Sequence, residues 1–153
     1  MIAIRKATIE DLPQLLLFEQ GIIKAERLFD ETLAKGDINY YDLNSMLADQ
    51  NVEIVVATIN DILVGSGYAK IVTAKPYLDH KLYAYFGFMF TREEHRGKGI
   101  NSRIIEALKE WCLKKEVFEI RLDVYNQNEA AVKAYTKSGF KKDMVNMRIR
   151  LKK

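Results

Sequence analysis

The stretch EEHRGKGINSRIIEAL, Glu93–Leu108, joins a cationic, glycine-containing turn to an apolar helical pattern. Gly97 and Gly99 have no Cβ, so the backbone between them can curve with its amides pointing inward. Amides at a helix N-terminus lack intrahelical acceptors and carry partial positive charge, which suits them to phosphate groups. The turn is either a plain strand-to-helix connector or an anion site, and the rest of the chain decides between the two.

The pattern after the turn predicts a helix over about Ile100–Lys115 that packs one apolar face on a sheet. Cys112 lies on that face, which indicates a packed core thiol rather than a catalytic one. The turn has neither the P-loop spacing nor the Rossmann G-x-G-x-x-G pattern, so those nucleotide sites are excluded. The predicted stripe consists of Ile100, Ile104, Ile105, Leu108, Trp111 and Cys112.

Composition limits the class of protein. A chain of 153 residues, 48% hydrophobic and 29% charged, suits one globular domain over residues 1–153. The 24 basic and 21 acidic residues leave a net charge of +3, which argues against a dedicated nucleic-acid binder. One cysteine excludes an internal disulfide and a cysteine-based metal cage. Without a bilayer-length apolar run or a secretory leader pattern, we expect a cytoplasmic protein with no membrane partner and no metal.

Periodicity predicts alternating strands and helices. The strands are IAIRKAT, a hairpin of VEIVVATI and ILVGSGYAKIV turning at Asn60–Asp61, then LYAYFGFMFT, FEIRLDVY and a last strand MVNMRIRL. YYDLNSMLADQN predicts a short second helix, and about 129–138 a fourth. The order β-α-α-β-β-β-α-β-α-β indicates an α/β (α+β mixed) domain around a central sheet. The first helix should present one face with Leu15, Leu16, Glu19, Ile22, Ile23 and Glu26.

A second segment, NEAAVKAYTKSGF over Asn128–Phe140, places Asn128, Ala131 and Tyr135 at helical spacing. Small Ala131 lets a ligand approach the helix, and Tyr135 offers a hydroxyl on the same face. Gly139 is suited to end this helix.

The motif RGKGIN after an aromatic strand, followed by N-x-x-A-x-x-x-Y-x-x-x-G-F, resembles the GNAT superfamily of acetyl-CoA-dependent N-acetyltransferases. The opening IRKATIEDLPQLL is also similar to the start of its members, and the resemblance covers essentially the whole chain. It implies a mixed, mostly antiparallel sheet flanked by helices, acetyl-CoA (CoA) as cofactor, and direct attack of an acceptor amine on the thioester. The acceptor would be a small-molecule or peptide amine.

The resemblance also implies roles for particular residues. The loop motif [RQ]-x-x-G-x-[GA] would bind the pyrophosphate of CoA through its amides, while the end of the aromatic strand and Asn128 would contact the pantetheine arm. Tyr135 would act as the catalytic acid that protonates the departing thiolate. Asn101 departs from the motif, which prefers Gly or Ala there. The implied cofactor-binding residues are Met89, Phe90, Thr91, Arg96, Gly97, Lys98, Gly99, Ile100, Asn101, Asn128, Ala131 and Tyr135.

The general base stays open because LYAYFGFMF has no carboxylate. An amide near Met89 or Phe90 would polarise the acetyl carbonyl, provided that this strand splays from FEIRLDVY. Glu26 and Tyr85 are expected to contact the acceptor, and an acidic group near Glu26 suits a cationic amine. That group is Glu26, Asp30, Glu31 and Asp37. The candidate bases or proton relays are Glu19, Glu26, Asp79, His80, Tyr83 and Tyr85, with Glu19 otherwise a core-edge carboxylate paired with a lysine.

Three other interpretations stay open. A catalytically silent CoA-binding domain would keep the loop but not the proton handling. A protein N-terminal acetyltransferase would differ in the width and charge of its acceptor groove. A nucleotide- or nucleic-acid-binding module using HRGKG would leave Asn128–Tyr135 without a role. Separately from these functions, the edge of the last strand could pair between two copies of the chain and form a homodimer.

Overall fold

The strands predicted from the apolar pattern form one sheet in the structure. The structure is a computed structural model that describes residues 1–152. The strands are β1 (Ile2–Lys6), β2 (Val52–Ile59), β3 (Ile62–Thr73), β4 (Leu82–Thr91) and β5 (Ile120–Arg121). They lie in the order β1-β2-β3-β4-β5, and neighbours run antiparallel except β4 and β5, which run parallel. The predicted mixed class with a mostly antiparallel sheet is confirmed.

Helices separate the strands in the predicted order as far as the fourth helix. The α-helices are α1 (Leu12–Glu26), α2 (Leu43–Ala48), α3 (Ile100–Lys114) and α4 (Glu129–Lys137), with 3-10 helices at Ile9–Asp11 and Glu93–His95. Pro13 falls in the first turn of α1, where its missing N–H would have no intrahelical acceptor. None of the helices in the described residues has the length and apolar character needed to span a bilayer.

The two faces of the sheet are covered by different helices. Successive residues of a strand point to opposite faces. Tyr68 of β3 joins a core with Leu15 and Phe18 of α1, whereas an added Cβ on the preceding Gly67 would lie 2.7 Å from Ile104 Cγ2 of α3. Glycine at position 67 therefore allows α3 to lie directly on β3. The sheet lies between α1 on one face and α3 on the other.

The buried face of α1 differs in part from the predicted one. Leu15, Glu19, Ile22 and Ile23 are buried as predicted, but Leu16 is 44% exposed, so its placement on this face is wrong. Phe18 is buried instead, three residues after Leu15. This face follows the 3.6-residue period through positions 15, 18, 19 and 22, and Leu16 lies one step around the helix from it.

Two other local predictions are confirmed. Asn60 and Asp61 have φ values of 52° and 64°, the two positive values of a type I′ hairpin turn between β2 and β3. In α3, Cys112 is fully buried, and burial raises the pKa of its thiol to about 11. Cys112 is therefore a neutral core side chain at neutral pH, as the predicted stripe indicated.

The chain divides into two compact units, Met1–Asp123 and Val124–Lys153. In the second unit, α4 ends as predicted at Gly139, which has a φ of 101°. The N–H of Phe140 donates to the carbonyl of Tyr135 at 3.0 Å, as in a Schellman C-cap. The single domain expected over residues 1–153 stays a prediction.

The predicted last strand, MVNMRIRL, is wrong. Residues 141–150 form neither helix nor strand. The alternation suits a strand, but a strand persists only where a neighbour accepts its ladder of hydrogen bonds, and the described part of this unit contains no such neighbour. The apolar side chains of the segment are accordingly exposed: Met144, Val145, Met147, Ile149 and Leu151.

Candidate active site

The cationic turn, here called the glycine loop (residues 96–101), has the curved backbone that its sequence predicts. Gly97 and Gly99 have φ values of 80° and 78°, in the left-handed region that favours glycine. Gly99 is the N-cap of α3 and supplies no capping side chain, so the first amides of α3 have no side-chain acceptor there. A Cβ added at either glycine would meet no atom within 4 Å. The loop is an open, amide-lined helix start of the kind that binds phosphates.

Side chains around the glycine loop connect it to β4. Arg96 Nε donates to the carbonyl of Thr91, the last residue of β4, at 3.3 Å. Lys98 Nζ lies 3.0 Å from His95 Nδ1, and both Arg96 and Lys98 are exposed. The structure therefore places the end of β4 beside a loop that carries two cationic side chains.

The strand β4 has an open edge beside the glycine loop. Its pairing with β5 covers only Ala84 and Tyr85, so within the unit 1–123 no strand pairs with that edge from Phe86 to Thr91. The predicted strand FEIRLDVY is reduced to two residues, and the expected separation from β4 is confirmed. The positions without a strand partner on this edge include Met89, Phe90 and Thr91, whose side chains are half-buried.

A β-bulge changes the direction of the backbone in the middle of β4. Phe88 has a φ of 57°, and the register with β3 shifts between Ser66 and Tyr68. Ser66 Oγ donates to the Phe88 carbonyl at 3.0 Å. Bulges of this kind change the direction of strand backbone groups and are frequent next to active sites. A non-glycine residue in the left-handed region gives no signal in the sequence, and sequence reasoning missed Phe88.

Four tyrosines pack in a chain that reaches this bulge through Tyr41, and we call them the tyrosine cluster: Tyr40, Tyr41, Tyr68 and Tyr85. The Tyr41 ring packs edge-on against Tyr68, with centroids 5.5 Å apart, and against Phe88, at 5.3 Å. Tyr68 in turn lies 6.5 Å from Tyr85, centroid to centroid, and Tyr85 donates its hydroxyl proton to Asp123 Oδ2 at 3.1 Å. The structure thus brings the predicted acceptor residue Tyr85 beside the bulge, together with three tyrosines that were not predicted as acceptor residues.

Glu26, the second predicted acceptor residue, lies at the end of α1 next to this cluster. Burial raises the pKa of the Glu26 carboxyl, the neighbouring Tyr40 hydroxyl opposes that rise, and the charge of Asp30 adds to it. Burial also raises the pKa of the Tyr41 phenol, and the charge of Glu26 contributes to this rise. Glu26 is therefore a half-buried carboxyl group that binds protons more readily than a solvated one.

The hydroxyls of Tyr41, Tyr68 and Tyr85 stay protonated at neutral pH. Burial raises the pKa of Tyr85, and the neighbouring charge of Asp123 raises it further. Burial likewise raises the pKa of Tyr68. These tyrosines therefore do not serve as tyrosinate bases at neutral pH, and a proton relay through water by Tyr83 or Tyr85 stays a prediction.

Glu19 does not pair with a lysine, so that expectation is wrong. Its side chain is 0% exposed, and Oε2 accepts hydrogen bonds from the N–H groups of Tyr40 and Tyr41 at 2.6 and 2.8 Å. The backbone supplies these partners from 21 and 22 residues further along the chain, and sequence spacing gave no indication of them.

Asp79 and His80 lie apart from the tyrosine cluster, in the loop between β3 and β4. His80 Nδ1 is 2.8 Å from Asp79 Oδ1, and this hydrogen bond lowers the pKa of the Asp79 carboxyl. His80 lines a surface cavity with Leu82 and Phe118, and no tyrosine of the cluster belongs to that cavity.

The second unit carries the remaining predicted residues, all on or beside α4. Asn128 is the N-cap, and its Oδ1 accepts from the Ala131 N–H at 3.2 Å. Tyr135 packs edge-on against Phe140 with centroids 5.9 Å apart. Asn128 therefore has a structural role in starting the helix, whatever further contact it makes.

Comparison with known proteins agrees with this geometry. Residues 20–140 match the Acetyltransferase (GNAT) family. Streptothricin acetyltransferase of Escherichia coli is 41% identical over 46 residues, which cover 30% of this chain and 26% of that protein. The match thus spans about a quarter of the length of this curated relative.

Solved structures share the fold over nearly the whole chain. A tetramutant of a Bacillus halodurans protein superposes with a TM-score of 0.85 at 21% identity, covering 97% of this chain and 99% of that one. A Clostridium acetobutylicum protein crystallised with acetyl-CoA superposes with a TM-score of 0.74 at 19% identity, covering 99% and 97%. At these identities the similarity shows a common fold.

Proposed function

Because the chain belongs to the Acetyltransferase (GNAT) family, we propose that it transfers an acetyl group from acetyl-CoA to a primary amine of a small molecule or peptide. Acetyl-CoA is the cofactor of this family and supplies an activated thioester. The observation that carries the proposal is the glycine loop: two left-handed glycines at the uncapped start of α3, beside the open edge of β4.

The residues of the glycine loop fit a diphosphate. The positive φ values of Gly97 and Gly99 curve the chain, and the space beside each is free of protein atoms within 4 Å of an added Cβ. The amides from Gly97 to Asn101 would hold the phosphate oxygens, with Arg96 and Lys98 adding charge at the rim. Asn101, half-buried in the first turn of α3, replaces the smaller residue of the family motif and can donate a side-chain hydrogen bond.

The open edge of β4 would hold the pantetheine arm and the acetyl group. Backbone groups from Met89 to Thr91 have no strand partner on that edge in the unit 1–123, so an extended ligand would find hydrogen-bonding groups there in addition to the Thr91 carbonyl that accepts from Arg96. The bulge at Phe88 redirects the neighbouring amides. An amide near Met89 or Phe90 would stabilise the charge that develops on the carbonyl oxygen.

Glu26 is the residue we assign to proton removal from the acceptor. An alkylamine has a pKa of about 10.4, so at neutral pH it must lose a proton before it can attack. Glu26 is half-buried beside Tyr40, its pKa is raised, and it lies on the same cluster as Tyr41 and Tyr85. A carboxylate with a raised pKa is a better proton acceptor at neutral pH than a solvated one, either directly or through water.

Tyr135 is assigned to the opposite proton transfer, to the departing CoA sulfur, because it occupies the tyrosine position of the family motif. Asn128 and Ala131 occupy the motif positions that contact the cofactor arm. The negative charge near Glu26, with Asp30 beside it, favours a cationic amine as acceptor. A cytoplasmic location, the absence of a nucleic-acid partner and a homodimer stay predictions.

The test is an acetyl-transfer assay with acetyl-CoA against a panel of small amines, polyamines, aminoglycosides and peptide N-termini, with CoA release and acetylated product both measured. We expect turnover with at least one cationic small amine. Binding of acetyl-CoA without any turnover across the panel would instead support the silent CoA-binding domain, which the absence of a carboxylate on β4 keeps as an alternative. Failure to bind acetyl-CoA would overturn the proposal.

A further inference from the structure

Glu19 is the most buried carboxylate outside the reaction described above. The hydrogen bonds to the N–H groups of Tyr40 and Tyr41 both go to Oε2, and Oε1 is buried without a hydrogen-bond partner among the described residues. A buried polar group without a partner is costly, so its retention calls for an explanation beyond packing.

The segment that Glu19 holds has little other regular structure. Between the end of α1 and the start of α2 the chain forms turns and bends with no strand or α-helix. Gln20, the neighbour of Glu19, donates from Nε2 to the Ile38 carbonyl at 3.0 Å and to Asn39 Oδ1 at 3.2 Å. Two consecutive side chains of α1 thus hold residues 38–41 against the helix; the hydrogen bonds of Gln20 are exposed, whereas the Glu19 side chain is fully buried.

Tyr40 and Tyr41 connect this attachment to the site. The Tyr40 hydroxyl lies close enough to the Glu26 carboxyl to lower its pKa, and the Tyr41 ring packs on Phe88 at the bulge of β4, with centroids 5.3 Å apart. A shift of the backbone at 40 and 41 would therefore move the hydroxyl neighbour of Glu26 and the aromatic wall beside the bulge together.

We propose that Glu19 is a positioning residue for the acceptor side of the site: its carboxylate fixes the backbone of Tyr40 and Tyr41, and through them the Glu26 carboxyl and the wall at Phe88. The inference rests on the proposed function. Glu19 acts by geometry and exchanges no proton with the acceptor, because its side chain is sealed from solvent and its bonded oxygen is already occupied by two donors. This removes Glu19 from the candidate bases.

The shared acceptor oxygen allows a sharp test. Because both N–H groups bond to Oε2, the single carbonyl oxygen of glutamine can accept both, and the new amide nitrogen occupies the place of Oε1. Glu19→Gln therefore keeps the attachment and removes the charge, whereas Glu19→Leu keeps the bulk and removes the acceptor. A general base would respond in the opposite way to the first substitution, because glutamine cannot take up a proton.

Steady-state kinetics should be measured for wild type, Glu19→Gln and Glu19→Leu with acetyl-CoA and an amine that the wild type acetylates. We expect Glu19→Gln to stay within about twofold of wild type in kcat and KM, with an unchanged pH profile. Glu19→Leu should raise the amine KM about tenfold or more and lower kcat, with the acetyl-CoA Kd changed less than twofold. Leu15→Ala, a core truncation on the same helix that removes no hydrogen-bond acceptor, is the control for a general loss of stability.

Hydrogen exchange at the Tyr40 and Tyr41 amides gives a readout independent of activity. Protection of these two amides from exchange should persist in Glu19→Gln and be lost in Glu19→Leu. If the leucine variant does not fold, Glu19→Asp, whose side chain is one methylene shorter, is used instead. A wild type that acetylates no amine would overturn the proposed function. The hydrogen-exchange pattern would still test whether Glu19 holds the backbone of Tyr40 and Tyr41. Loss of activity or a shifted pH profile in Glu19→Gln, or a folded Glu19→Leu with normal amine KM and normal protection, would overturn the inference.

Discussion

Replacing single glycines by alanine tests the glycine loop, because the chain offers a matched control. Gly97, Gly99 and Gly36 have φ values of 80°, 78° and 85°, and an added Cβ meets no atom within 4 Å at any of them. The three substitutions therefore introduce the same backbone strain and no clash. Gly36 lies in the connection between α1 and α2, outside the glycine loop.

The magnitude follows from the left-handed conformation, which costs an alanine about 1–2 kcal/mol relative to glycine. At Gly97 and Gly99 the surrounding loop is exposed and open, so the free protein can relax and escape the strain. Binding a diphosphate would then require the loop to return to its strained shape. An energy of 1–2 kcal/mol corresponds to a weakening of acetyl-CoA binding by about 5- to 30-fold.

The assay is isothermal titration calorimetry with acetyl-CoA and with CoA, combined with thermal unfolding of the free variants. Gly97→Ala and Gly99→Ala should weaken both ligands, whereas Gly36→Ala should leave both affinities unchanged. Where a loop variant does not relax, the same energy appears instead as a lower Tm of the free protein. Wild-type affinity together with a wild-type Tm in both loop variants would show that the left-handed turn has no part in binding, and would refute the reasoning.

Three further predictions follow from the site and its surroundings. Tyr135→Phe should lower turnover by about tenfold or more with little change in acetyl-CoA affinity; unchanged turnover would remove Tyr135 from the mechanism. The wild-type rate should fall as pH drops through the raised pKa of Glu26, which gives the pH–rate profile an acid limb. Glu26→Gln should lower kcat about a hundredfold and abolish this acid limb. An acid limb that persists in the variant would belong to another group. The Arg5 hydrogen bonds lower the pKa of Asp11 below its usual 3.8, so its stabilisation is present above that value and is lost as pH falls through the folded-state pKa. Asp11→Asn should accordingly reduce the free energy of unfolding by about 1–2 kcal/mol at neutral pH, with the difference disappearing in acid, and urea unfolding across pH measures whether it does.

Local chemistry explains what could be predicted from the sequence. The turn at Asn60–Asp61, the start of α3 after Gly99 and the end of α4 at Gly139 depend on which residues tolerate positive φ, and that preference belongs to the residue itself. The period of the apolar residues likewise placed the stripe of α3, including Cys112. The glycine loop could be predicted for the same reason, since its conformation and its amides are contained in six consecutive residues.

Only the tertiary structure decided the acceptor side. The partners of Glu19 lie about twenty residues away and are backbone groups, the left-handed Phe88 has no preference for that conformation, and the tyrosine cluster joins side chains from three separate segments. The alternating pattern of MVNMRIRL was likewise not sufficient for a strand, because a strand is completed by hydrogen bonds to a neighbour that its own residues do not specify. The backbone conformation that a residue favours is a property of that residue. Its burial and its strand pairing depend instead on which other segments of the chain pack beside it.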